Sequence, residues 1–76
     1  QAHSTIAALE QVLDLLQRGG ELVMVVYGGH PGADAERTAA EQWAQTLDVK
    51  RAPILRHQLV NQPGQPPYVL ALEKRL

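Results

Sequence analysis

Ile6, Leu9, Val12, Leu13 and Leu16 recur three and four residues apart, and this stripe predicts an amphipathic helix. Ser4 is placed to cap its start. Gly19 and Gly20 end it, with Arg18 in its last turn. Five apolar residues then run unbroken from Leu22 to Val26. Such a run predicts a strand, Glu21 to Tyr27, buried on both faces as a parallel sheet with helices on each side requires, in the middle of the parent sheet. A turn, Gly28-Gly29-His30-Pro31-Gly32, follows at once. Asp34 can cap a second helix, with Glu36 well placed in its first turn. Ala39, Ala40, Trp43 and Leu47 make that helix's buried face, and Trp43 reads as a core anchor. Asp48 leaves the helix, and Pro53 opens a third segment. From Ile54 to Val60 the pattern is mixed: Leu55, His57 and Leu59 fall on one face, Ile54, Arg56, Gln58 and Val60 on the other. Asn61 to Pro67 is a loop by composition, and Tyr68 to Leu72 is a last apolar strand. Two strands joined by a short loop predict an antiparallel hairpin.

The predicted order is helix, strand, helix, strand, strand, an α/β pattern. A helix that feeds directly into a strand is half of a β-α-β unit, so the chain reads as beginning inside a fold. A succession of β-α units that closes in an antiparallel hairpin is how a Rossmann-like methyltransferase sheet ends, although many α/β sheets carry an antiparallel edge strand.

Composition narrows the class. A chain of 76 residues holds one small domain, and 45% hydrophobic content argues against disorder. No apolar run approaches the ~20 residues that span a bilayer. The first residues, QAHSTIAALE, lack the basic start and apolar centre of a secretory signal. The absence of Cys excludes disulfide and thiolate chemistry. Together these fit a cytoplasmic protein. Charge is uneven: residues 1–48 hold Arg18 and Arg37 against seven acids, whereas residues 49–76 hold Lys50, Arg51, Arg56, Lys74 and Arg75 against Glu73. A basic half can face phosphates; ordinary solvated surface is the alternative.

Ligands of open α/β sheets bind beyond the carboxyl ends of the strands. Tyr27 and His30 fall there, and Gly28, Gly29 and Gly32 can let backbone approach a ligand closely. An aromatic ring at such a mouth can stack on a base, and a histidine titrates near neutrality. The structural alternative is that Tyr27 closes the core and His30 is a solvated loop residue. Arg37, Lys50, Arg51 and Arg56 are candidates for phosphate contacts. His57 reads as a sheet residue, and a lone histidine predicts no metal site.

Taken with its wording, the chain resembles the rRNA methylase family of S-adenosylmethionine-dependent methyltransferases. The likeness rests on Thr5-Ile6, Ala8-Leu9-Glu10, Leu15-Leu16 and Gly19-Gly20 in the first part. It continues through Val25, Tyr27, Gly29-His30-Pro31, Gly32, Glu36, Trp43 and Leu47 to Leu59, Asn61-Gln62, Pro66-Pro67 and Glu73-Lys74. Members that look like this are associated with methylating the aminomethyl group of a modified uridine at the tRNA wobble position. The resemblance therefore implies a tRNA (or rRNA) substrate. For such a substrate, His30 is the candidate to accept a proton or to bond phosphate or ribose, and Tyr27, Gly29, Gly32 and Asn61 are the candidates for substrate contacts. The resemblance covers only the C-terminal part of such an enzyme. The glycine-rich turn that holds the cofactor's methionine end and the acidic residue that holds its ribose are missing. Gly19-Gly20 and Gly28-Gly29 flank a strand and lack G-x-G-x-x-G spacing. Gln65-Pro66-Pro67-Tyr68 looks like the proline-containing motif of amino-group methyltransferases, but it precedes the last strand and begins with Gln65. A loop stiffened by two prolines is the simpler account.

Two readings result: the substrate-side half of an RNA methyltransferase, or a non-catalytic interaction module of similar shape. On the first, residues 1–76 form the C-terminal part of a single methyltransferase domain whose cofactor-binding half lies outside them. This part alone is expected not to bind S-adenosylmethionine. It is also expected to form a homo-oligomer through an exposed strand edge.

Overall fold

In the computed structural model, the described residues are 2–27 and 33–76. Helix α1 (Ala2–Leu15) leads to strand β1 (Glu21–Val26), helix α2 (Ala33–Thr46), and strands β2 (Ile54–His57) and β3 (Tyr68–Glu73). The predicted order is the observed one. Helix α1 begins at Ala2, so Ser4 lies within it rather than capping it. Asp34 and Glu36 both fall in the first turn of α2, where their charge favours the helix dipole.

The turn between α1 and β1 needs both its glycines. Gly19 has φ +84°, a left-handed conformation that side chains resist. A Cβ on Gly20 would lie 2.9 Å from the carbonyl oxygen of Gln17. Both are tied to Lys74: the Gly19 amide donates to the Lys74 carbonyl at 2.7 Å, and the Lys74 amide donates to the Gly20 carbonyl at 2.9 Å.

The sheet order is β1-β3-β2, and every pairing is antiparallel. Val26 stands opposite Tyr68, Met24 opposite Leu70, and Leu22 opposite Leu72. On the far side of β3, Ile54 also stands opposite Leu72. The alternation of strands then assigns the faces. Tyr68, Leu70 and Leu72 are buried, and Leu9, Leu13, Trp43 and Ala52 pack with Leu72 in the core. The opposite face carries Val23, Val25 and Leu55, all exposed.

The unbroken apolar run predicted a strand buried on both faces in the middle of the parent sheet, which leaves an apolar edge on this part taken alone. Among the described residues β1 pairs only with β3, antiparallel, and the core covers one of its faces, with Val23 59% and Val25 50% exposed on the other. One boundary is corrected. The hairpin forms as expected, but its connection is longer than predicted: β2 stops at His57, and Gln58 to Val60 join the exposed loop.

Candidate functional site

The carboxyl end of β1 is where α2, β2 and β3 bring polar side chains together. Val26 ends β1 and faces Tyr68, the first residue of β3, across the ladder. Tyr27 follows Val26 and is 61% exposed. Arg37, Thr38, Glu41 and Gln42 of α2 face Arg56, Gln58 and Tyr68 across a cleft of about 340 Å³.

The cleft is wired together. The Tyr68 hydroxyl donates to Glu41 Oε1. Arg56 Nη2 donates to Glu41 Oε2 at 2.8 Å, and the Arg56 guanidinium stands 5.3 Å from the Tyr68 ring centre, a cation–π contact. Arg37 Nη1 donates to Gln65 Oε1 at 3.3 Å, and its Nη2 lies 3.8 Å from Asp34 Oδ1. Helical spacing explains the arrangement: Arg37 and Glu41, four residues apart, share one side of α2.

Burial pushes the Tyr68 hydroxyl from 10.0 up to about 12, reinforced by its hydrogen bond to Glu41 and by that carboxylate's charge; Arg56 and Arg37 oppose the shift. A folded-state pKa raised above the unfolded one adds stability that is present below pH ~10 and lost as pH rises toward 12. Absorbance titration of phenolate in a Tyr27→Phe background is expected to place the Tyr68 midpoint near 12. A midpoint near 10 would contradict the buried Tyr68–Glu41 hydrogen bond. Tyr68→Phe is expected to remove the loss of stability across that range.

The candidates separate into two groups. Tyr27, Arg37 and Arg56 lie toward the carboxyl end of β1. Asn61 is exposed in the loop between β2 and β3. Lys50 and Arg51 sit in the turn after α2, at the other end of the sheet, where the Arg75 amide donates to the Arg51 carbonyl at 2.9 Å. Arg51 is already engaged: its Nη2 lies 3.3 Å from Glu10 Oε1 and 3.2 Å from Asp14 Oδ1. Glu10 also accepts from Trp43 Nε1 at 2.6 Å, so Arg51 ties α1 to the core. His57 is exposed beside Leu55 on the bare sheet face. His30, Gly28, Gly29 and Gly32 lie outside the described residues. Among the described residues, no group of three or more His, Asp or Glu side chains could hold a metal ion. No helix of the described residues is long and apolar enough to cross a membrane.

The sequence reading did not single out Glu41 and did not place Tyr68 in this cleft. The signal available was the Arg37–Glu41 spacing on a helix otherwise read for its buried face.

Comparison with known proteins places this geometry. Residues 1–73 match the family described as Putative rRNA methylase. The chain is 31% identical over 71 residues to the chloroplastic tRNA (mnm(5)s(2)U34)-methyltransferase of Arabidopsis thaliana, covering 93% of this chain and 26% of that protein. A crystal structure described as a putative rRNA-methylase from Clostridium thermocellum superposes with a TM-score of 0.91 at 28% identity, covering 97% of this chain and 40% of that one. A putative methyltransferase from Streptococcus mutans in complex with SAH gives 0.88 at 31% identity, with the same coverage. The chain therefore spans well under half the length of these relatives. With nearly its whole length matched and its fold shared, it belongs to the rRNA methylase family.

Proposed function

We propose that this chain is the substrate-side, C-terminal part of an S-adenosylmethionine-dependent RNA methyltransferase. Its substrate is a tRNA whose wobble uridine carries an aminomethyl group. The observation that carries this reading is the likeness to the tRNA (mnm(5)s(2)U34)-methyltransferase across 93% of the chain. Tyr27 and a polar cleft at the carboxyl end of β1 fit it, because substrates of open α/β sheets enter there.

The described residues do not fit the cofactor's methionine end. Gly19 and Gly20 spend their backbone groups on Lys74, at the amino end of β1. S-adenosylmethionine supplies the methyl group when bound by the part of the enzyme that this chain does not span. The chain's own task is to hold the nucleotide and to help its amine lose a proton. Tyr27 stacks on the base, Asn61 offers hydrogen bonds, and His30 accepts the proton; Gly29 and Gly32 leave room for the sugar and phosphate.

The test is nucleoside mass spectrometry of tRNA from cells lacking the gene. Loss of the methylated wobble nucleoside and accumulation of its aminomethyl precursor are expected, with both reversed by the restored gene. An unchanged nucleoside profile would overturn the assignment in favour of a non-catalytic module.

The same reading predicts self-association of the isolated chain. Among the described residues β1 has no neighbour on its outer edge, and Val23 and Val25 leave its bare face apolar. Such an edge is a template for another chain. Sedimentation velocity is expected to show concentration-dependent dimers or larger species, reduced by Val23→Lys. A clean monomer across a wide concentration range would refute this.

A further inference from the structure

Arg37 and Arg56 approach one cleft from two elements, α2 and β2, and neither is used up by its neighbours. A guanidinium has five N–H donors in a planar fork. Among the described residues, Arg56 spends one hydrogen bond on Glu41, and Arg37 spends one on Gln65. Among the described residues, Glu41 is the one acidic side chain that lines the cleft, and the other polar walls besides the two arginines and Tyr68, namely Thr38, Gln42 and Gln58, are neutral. Asp34, near Arg37, is 79% exposed and 3.8 Å away, so it offsets little of that charge. The cleft thus keeps a surplus of positive charge on a chain whose formal net charge is -1. Both forks are also held in place: Arg56 by Glu41 and the Tyr68 ring, Arg37 by Gln65. Planar donors held in this way suit the oxygens of a phosphodiester. The cleft opens at the sheet end that carries Tyr27.

We infer that this cleft binds a backbone phosphate of the RNA, with Arg37 donating from the helix wall and Arg56 from the strand wall. This rests on the RNA-methyltransferase reading. Glu41 is a positioning residue: it holds Arg56 in line and limits the strength of the grip. The contact fixes register without reading sequence, as phosphate contacts do. Lys50 and Arg51, at the far end of the sheet, take no part.

The test uses the full-length enzyme that contains this chain, a short fluorescent RNA hairpin and anisotropy from about 50 to 200 mM salt. Arg37→Ala and Arg56→Ala are each expected to weaken binding roughly three- to tenfold at low salt and to reduce the log–log salt slope by about one. The losses should be equal for hairpins of different loop sequence. Arg56→Lys should keep the slope and recover part of the affinity. Glu41→Gln should act in the opposite direction, tightening binding and steepening the slope; a merely structural Glu41 would weaken it. Lys50→Ala should change affinity less than either arginine variant. Melting curves on each variant exclude unfolding, and if Arg56→Ala fails to fold, Arg56→Lys, Arg37→Ala and Glu41→Gln decide. Unchanged affinity and slope in the arginine variants would overturn the cleft while leaving the RNA reading standing. Absence of RNA binding by the unaltered enzyme would also overturn the cleft, and the nucleoside assay then judges the enzyme reading independently.

Discussion

Trp43→Ala is expected to lower the stability of the chain by ~3–5 kcal/mol. Trp43 is 6% exposed and packs with Leu9, Leu13, Ala52 and Leu72, where α1, α2 and β3 converge. Truncating a buried Trp to Ala costs ~3–5 kcal/mol, because the transfer energy is lost and the cavity only partly collapses. The indole also donates to Glu10 Oε2 at 2.6 Å. Removing it leaves a part-buried carboxylate with Arg51 as its remaining partner. Native domains are stable by ~5–15 kcal/mol, and domains of this size bury proportionately little surface. The loss is therefore a large share of the stability available to a domain of this size. Trp43→Phe keeps much of the ring volume and should cost less. Leu15→Ala, at a residue 83% exposed, should stay within about 0.5 kcal/mol. Urea unfolding followed by circular dichroism is the right measurement, since Trp43 is the sole tryptophan and its fluorescence goes with it. A midpoint for Trp43→Ala close to that of the unaltered chain would show that the core does not depend on this contact.

Trp43 was legible in the sequence because helix periodicity is local: Ala39, Ala40, Trp43 and Leu47 mark one side of α2 without knowledge of what covers it. The two-glycine turn was legible for the same reason. What the sequence could not specify was non-local. Leu22 to Val26 is apolar throughout and marks a strand, but the placement of β3 between β1 and β2 is decided by residues some 45 positions away. Charge was equally opaque. Arg51 and Arg56 look alike as letters, but Arg51 is engaged by Glu10 and Asp14 whereas Arg56 keeps donors facing a cleft. Glu41 was hidden because an acid on an amphipathic helix reads as solvated surface until Tyr68 and Arg56 arrive from the hairpin. The position just beyond a strand's carboxyl end drew attention to Tyr27 and His30; the cleft at the end of the sheet that carries Tyr27 emerged only from the fold.

Loss of catalysis without loss of fold is the expected result of altering Tyr27 and His30 in the full-length enzyme. Tyr27 is 61% exposed just beyond Val26, so truncating its ring removes little core. If the ring stacks on the wobble base, Tyr27→Ala raises the transition-state barrier by ~1–3 kcal/mol, seen in kcat/KM for tRNA. Tyr27→Phe should retain most of the activity, because stacking needs the ring and not the hydroxyl. His30 carries the larger expected effect. The amine is a nucleophile only after it loses its proton, and a positioned base contributes roughly 10²-fold or more. His30→Ala should therefore lower turnover by that factor and abolish a pH dependence present in the unaltered enzyme. Affinity for S-adenosylmethionine should stay nearly constant in all three variants, because these residues are assigned to the substrate side. A purely structural role makes a different prediction: activity and melting temperature fall together, as a disturbed strand end loosens β1. Turnover, cofactor affinity and melting temperature measured on the same samples separate the two. Full activity in both alanine variants, or activity lost only in step with unfolded protein, would remove Tyr27 and His30 from the site.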